Sequence, residues 1–136
     1  MQILVVEDEA LTAMMIEGAL SDAGHTVRGP ASTASRALKL VEIAQPDLAL
    51  VDINLRDGRG SGIGLARELQ KRWGIPSLFV SGQITQAREN RDAALGCLEK
   101  PYGTETLVAC VAVADRLKQG ETVPPEMIPP GLELFA

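Results

Sequence analysis

The sequence predicts an α/β fold, a doubly wound parallel sheet of five strands with helices on both faces. Two observations carry the prediction. Short apolar runs alternate with longer stretches of helical period, and one run, Leu48 to Ile53, is apolar throughout except for Asp52. A strand apolar on both faces belongs in the middle of a parallel sheet, and alternating strand and helix signals build such a sheet from βα units. The length, 136 residues, suits one domain with a real core.

The elements follow in order. Ile3 to Val6 reads as a buried strand, and Leu11, Met14, Met15, Ala19 and Leu20 then recur at helical spacing until Gly24 stops the helix. His25 to Gly29 is the second strand; Ser32 leads a helix carrying Ala37, Leu38, Val41 and Ile43, which ends before Pro46. Leu48 to Ile53 is the third strand. A glycine-rich loop, Gly58 to Gly64, precedes a helix with Leu65, Leu69 and Trp73, closed by Gly74 and Pro76, and Leu78 to Val80 is the fourth strand. Gln83 to Leu95 reads as a polar helix, Cys97 and Leu98 as a short fifth strand, and Thr104 to Leu117 as the last helix. The domain is expected to end at 118. From 119 to 136 four prolines break regular structure, yet Val123, Met127, Ile128, Leu132, Leu134 and Phe135 are more apolar than a solvated linker requires, so this tail is expected to dock rather than form a second domain.

Composition excludes several functions. A net charge of −5 and a pI near 4.9 argue against nucleic acid and anionic membranes as partners, since both attract clustered Lys and Arg. The longest apolar run, Leu107 to Ala114, is far short of the roughly 18 residues of a membrane span. The N-terminus lacks a basic start and a long apolar stretch, and the two cysteines, Cys97 and Cys110, sit among apolar residues. These features lead us to expect a cytoplasmic protein with reduced thiols.

Ligands of open parallel sheets gather at the carboxyl ends of the strands. Here those ends carry Glu7 and Asp8, then Asp52, Ser81, and Lys100 followed by Pro101. Carboxylates brought together resist ionisation unless positive charge lies between them, and a hard divalent cation with oxygen ligands answers that need. One carboxylate can then act as nucleophile toward a phosphoryl group, with Lys100 offsetting the charge that develops; Asp52 is best placed. Blander roles exist for each residue singly. Glu7 and Asp8 could cap a helix, Ser81 could open a turn, and Lys100 could be a solvated lysine. A lone Asp52 on a buried strand is harder to dismiss, because an unpaired buried carboxylate is costly. The loop from Gly58 to Gly64 lacks the Lys-Ser or Lys-Thr of a phosphate-binding P-loop, and His25 has no partner for a metal site.

In order and spacing, Glu7, Asp8, Asp52, Asn54, Ser81 and Lys100-Pro101 resemble the receiver domains of bacterial two-component response regulators, over roughly residues 2 to 118. The resemblance implies a flavodoxin-like (βα)5 fold with strand order 2-1-3-4-5 and Asp52 as phosphoacceptor. It implies Mg²⁺ or Mn²⁺ held by Asp8, Asp52 and the backbone carbonyl of Asn54, with Glu7 assisting through bound water. Ser81 and Lys100 would contact the phosphoryl group, and Pro101 would follow a cis bond. The implied donor is a sensor histidine kinase or a histidine phosphotransfer protein, and the implied protein a stand-alone regulator that is not a metabolic enzyme. The family usually signals through helix 4, strand 5 and helix 5, with an aromatic residue where this chain has Cys97; Tyr102 lies on a different stretch. Helix 5 carries a second apolar face, Val108, Ala112 and Val113. With Cys97 and Tyr102 it outlines a candidate partner face, to be covered by another protein, by a second copy in a homodimer, or by the tail. Two rival readings are an interaction module that keeps the fold without phosphoryl chemistry, and a small Mg²⁺-dependent phosphohydrolase using Asp52.

Overall fold

The computed structural model describes residues 1–135; Ala136, the end of the expected tail, lies outside the described residues. Six strands form one sheet in the order β2-β1-β3-β4-β5-β6. The strands are β1 (Gln2–Val6), β2 (Thr26–Ala31), β3 (Leu48–Val51), β4 (Ser77–Ser81), β5 (Gly96–Glu99) and β6 (Leu132–Leu134). The helices are α1 (Ala10–Asp22), α2 (Ala34–Ile43), α3 (Ser61–Trp73), α4 (Ile84–Arg88) and α5 (Thr104–Lys118). The first five strands are parallel and follow the expected order. The α/β doubly wound fold is therefore as the sequence predicts, with one strand more than expected: β6, from the tail, runs antiparallel along β5 with Leu132 opposite Leu98 and Leu134 opposite Gly96.

Each sheet face has its own core. On one side Leu4, Val6, Val51, Phe79 and Cys97 pack with α2 and α3 residues such as Val41 and Leu69. On the other, Ile3, Val5, Leu50, Val80 and Leu98 pack with Ile16 and Leu20 of α1 and Leu107, Val111 and Val113 of α5. Alternate residues of one strand thus serve opposite layers, which is why β1, β3 and β4 read as continuous apolar runs.

Several local expectations are corrected. The polar helix expected over 83–95 is only α4, followed by a 3₁₀ turn, Arg91–Ala93. The Asn90 side-chain amide donates to the Gln86 carbonyl at 3.0 Å, taking a carbonyl that a longer helix would use. α3 begins at Ser61, so Gly62 and Gly64 are helical rather than part of a loop. On α1 the buried side is Ala13, Ile16 and Leu20, whereas Leu11, Met14 and Met15 are 72%, 67% and 59% exposed. The candidate partner face is corrected as well. Cys97 and Val113 are fully buried, Tyr102 and Val108 are half-buried, and only Ala112 is exposed. The tail joins the apolar cluster on the α5 side of the sheet, with Val123, Ile128, Leu132 and Leu134 in the same cluster as Val113 and Leu117, while Val108 borders a groove with Ala19 of α1 and Ala23 just after it. Both cysteines are free and buried, on opposite sides of the sheet. Among the described residues no helix is long and apolar enough to cross a membrane.

Candidate functional site

The site lies where β1, β3, β4 and β5 end. Parallel pairing fixes the backbone there: the Asp52 amide donates to Val6 O at 3.0 Å, the Glu7 amide to Ala31 O at 2.9 Å, and the Lys100 amide to Ser81 O at 3.0 Å. These bonds extend the sheet ladder by one residue and bring the side chains of Glu7, Asp8 and Asp52 together. One carboxylate oxygen of each lies within 4.8 Å of the others. Lys100 reaches in from β5, its ammonium donating to Glu7 Oε1 at 2.8 Å and to Asp52 Oδ2 at 3.3 Å. The Lys100–Pro101 peptide bond is cis.

The electrostatics follow from the count of charges. Three carboxylates face one ammonium among largely buried groups; the Glu7 side chain is 3% exposed and that of Asp52 13%. Burial, then the hydrogen bond and the charge of neighbouring Glu7, push the Asp8 carboxyl above its ordinary pKa. For Lys100 burial is the largest influence and works against the charge, but the hydrogen bond to Glu7 and the negative charge of Asp52 and Glu7 outweigh it and raise its pKa. Lys100 therefore stays charged at neutral pH. The donor set is all carboxylate oxygen with surplus negative charge, which suits a hard divalent cation rather than a soft metal.

The remaining expected residues are placed less directly. Ser81 is buried at the end of β4, and its hydroxyl accepts a hydrogen bond from the Gln83 amide at 2.9 Å, which leaves its own hydrogen free to donate. The Asn54 side chain turns toward the loop: its oxygen accepts from the Gly60 amide at 2.8 Å, and its amide donates to Gln86 Oε1 on α4 at 3.1 Å. Cys97, Tyr102, Val108, Ala112 and Val113 do not join the acidic cluster. Sequence reasoning missed three participants. Gln86 ties α4 to Asn54, Arg56 donates to the Asp8 carbonyl at 3.2 Å, and Asp57 accepts from the first two amides of α2, Ala34 and Ser35, each at 3.2 Å. Only Asp57 had a readable signal, as an acid beside glycine in a turn. A cleft of about 230 Å³ opens beside Lys100 between α1 and the start of α5, lined by Glu9, Thr12, Met15, Tyr102 and Thr104 among others.

Against known proteins, the family model described as the response regulator receiver domain matches residues 3–112. The chain belongs to that family. This receiver domain is 40% identical over 81 residues to the phyllosphere-induced regulator PhyR of Methylorubrum extorquens, covering 59% of this chain and 30% of PhyR. It is 29% identical over 116 residues to the transcriptional regulatory protein PdtaR of Mycobacterium tuberculosis, covering 83% and 56% of the two chains. It therefore spans from under a third to just over half of these curated relatives. Among solved structures, the receiver domain of NtrX from Brucella abortus superposes with a TM-score of 0.75 at 33% identity, covering 86% of this chain and 98% of that one. The PhyR receiver domain of Erythrobacter litoralis gives 0.79 at 26% identity, covering 90% and 95%. Receiver domains are phosphoryl-accepting signalling modules of two-component systems that bind Mg²⁺ in an acidic pocket and interact with kinases or phosphotransfer proteins.

Proposed function

We propose that Asp52 is the phosphoacceptor of this receiver domain and takes a phosphoryl group from a phosphohistidine on a sensor kinase or phosphotransfer protein. The observation that carries this reading is the Lys100 ammonium held between Glu7 and Asp52, beside Asp8. A carboxylate oxygen of Asp52 attacks phosphorus, the phosphorus–nitrogen bond breaks, and its electron pair leaves with the imidazole, which is protonated from solvent. Lys100 offsets charge on the incoming phosphoryl oxygens, and the Ser81 hydroxyl hydrogen is available to one of them. Asp8, Asp52 and the Asn54 carbonyl would hold Mg²⁺ or Mn²⁺, with Glu7 behind them; the ion would neutralise the surplus carboxylate charge and screen the approaching phosphate.

Met15 of α1 lines the cleft beside Lys100, and with Leu11 and Met14, exposed on the same helix, it offers the donor protein an apolar landing surface. Output runs through protein contact. PhyR of Bartonella quintana, an anti-anti-sigma factor whose structure matches with a TM-score of 0.76 at 28% identity, supports that reading by likeness. Neither rival reading has an observation of its own. The phosphohydrolase would need a proton-donating acid beyond Glu7 and Asp8, which this reading gives to Lys100 and the cation, and Asn54 stands two residues on with its side chain engaged by Gly60 and Gln86.

The test is incubation with Mg²⁺ and acetyl phosphate, reading intact mass for wild type and Asp52→Ala. A gain of one phosphoryl group, stable to acid, labile to base and absent from the variant, is expected. A folded wild type that gains nothing refutes the reading.

A further inference from the structure

The tail does more than add apolar residues to the α5 side of the sheet. β6 pairs with β5 and the flanking chain continues the ladder, Glu99 N donating to Gly131 O at 2.9 Å and Phe135 N to Leu95 O at 2.9 Å. Two glycines fit this arrangement. A Cβ on Gly96 would overlap the Glu133 carbonyl oxygen and stand 3.2 Å from Leu134 Cα, and the three nearest atoms it would meet all belong to the tail. Gly131, with φ +91, turns the chain into β6 directly over Leu98. The domain surface at Gly96 thus fits the docked strand in particular.

From β6 the contact passes to α4. Arg88, at the end of α4, makes a forked pair with Glu133, Nε to Oε2 at 2.9 Å and Nη2 to Oε1 at 2.7 Å. Two residues earlier on the same helix, Gln86 holds the Asn54 side chain, and the Ser81 hydroxyl holds the amide of Gln83 just before the helix. α4 has five residues and carries one buried side chain, Ala87, so little apolar packing fixes it. Its position is set largely by polar ties to the acidic site on one side and to β6 on the other.

We infer that residues 119–135 form a regulatory strap, which docks as β6 on the β5 edge and, by holding α4 through Arg88 and Glu133, biases the Asn54 and Ser81 side of the acidic site. The two ends are coupled in both directions, since a shift of α4 toward the site strains the Arg88–Glu133 pair, and undocking of the strap frees α4. The paired side chains are half exposed and the strand is three residues long, so strap release costs far less than unfolding. The consequence for signalling rests on the proposed function; the mechanical coupling does not.

Hydrogen exchange read by mass spectrometry tests it, on the full chain and two undocking variants. Gly96→Ala blocks the strap from the domain side, and Leu132→Asp removes its best-buried anchor while leaving residues 1–118 unchanged. Strap amides 132–135 should exchange faster, and the hydrogen-bonded amides at the end of α4, 87–90, should follow by roughly tenfold in Leu132→Asp, while β1 and β3 keep their protection. Should the strap lose protection while α4 keeps it, or should Leu132→Asp leave the strap protected, the inference is overturned. Because no phosphodonor is present, this result stands apart from the acetyl phosphate experiment, whose failure would remove the phosphoacceptor reading alone.

Discussion

Replacing Gly62 with alanine should destabilise the protein, although alanine is the better helix former. Gly62 is the second residue of α3, and its amide donates to Ile53 O at 2.9 Å, which presses the helix start against the end of β3. A Cβ there would overlap the Asp52 carbonyl oxygen and lie 2.9 Å from both Asp52 C and Ile53 Cα. These are backbone atoms immediately after the central strand β3, so no rotamer change relieves the overlap. Helix propensity alone favours the change by about 1 kcal/mol. Overpacking against atoms that cannot move aside costs about 3 kcal/mol or more. The net loss is then about 2 kcal/mol, which lowers the urea midpoint by roughly 1 M for a domain of this size. Gly64, two residues on in the same helix, has nothing within 4 Å of the corresponding position and serves as the control. Gly64→Ala should gain about 0.5–1 kcal/mol. Equilibrium urea unfolding of both variants decides the matter. A Gly62→Ala protein as stable as wild type would mean that α3 does not sit on Asp52 as described.

Two further outcomes follow from the titrating groups. The raised Asp8 pKa means that its protonated form favours the fold; this contribution is present below pH 3.8 and lost as pH rises through the folded value, so charged Asp8 costs stability at neutral pH. In EDTA at pH 7, Asp8→Asn should raise the thermal midpoint by the equivalent of about 0.5–1 kcal/mol, as for a partly solvated charge. Added Mg²⁺ should raise the wild-type midpoint and leave the variant's unchanged; a variant less stable than wild type in EDTA contradicts the charge argument. Asp57 behaves oppositely. Loss of solvent, its largest single influence, works to raise its pKa, but the amides of Ala34 and Ser35 together hold the carboxyl below its ordinary range. Its stability contribution is therefore present above pH 3.8 and lost as pH falls through the folded value. Asp57→Ala should cost about 1 kcal/mol at pH 7, the usual worth of an N-terminal cap, and the deficit should shrink in acid; a pH-independent deficit would show that the carboxylate charge is not what holds α2.

Legibility in the sequence tracked how many physical alternatives each segment had. β1, β3 and β4 are buried on both faces, so an apolar run between polar residues had one structural meaning, and the site residues at the ends of those strands came with it. α1 is apolar around most of its circumference, with Leu11, Met14 and Met15 beside Ala13, Ile16 and Leu20. Periodicity cannot choose among several apolar faces, so the helical spacing of Leu11, Met14, Met15, Ala19 and Leu20 marks a helix without saying which side is core. α4 ends early because Asn90 takes the Gln86 carbonyl, and Asn90 and Asp92 are in turn held by Arg67 of α3, contacts between segments more than 20 residues apart. Of the site, the carboxylates and Lys100 were readable because each chemistry demands its residue type. Gln86 and Arg56 were not, since polar residues of those kinds are ordinary on any surface.

The tail shows the same limit and its effect on function. Four prolines read as a break, and a three-residue strand has no periodicity to recognise, so its partner on β5 was invisible until the chain was folded. Once β6 is in place, β5 is no longer the edge of the sheet, and Phe135 packs against the layer that holds Cys97. Burial pushes the Cys97 thiol up to about 12, so it is an inert packing residue, closed off where a free β5 edge would have been open to a partner. The surface a partner meets on this side is therefore the strap itself, with Glu133 and Arg88 at its rim, and any partner that reaches the β5 edge must first displace β6.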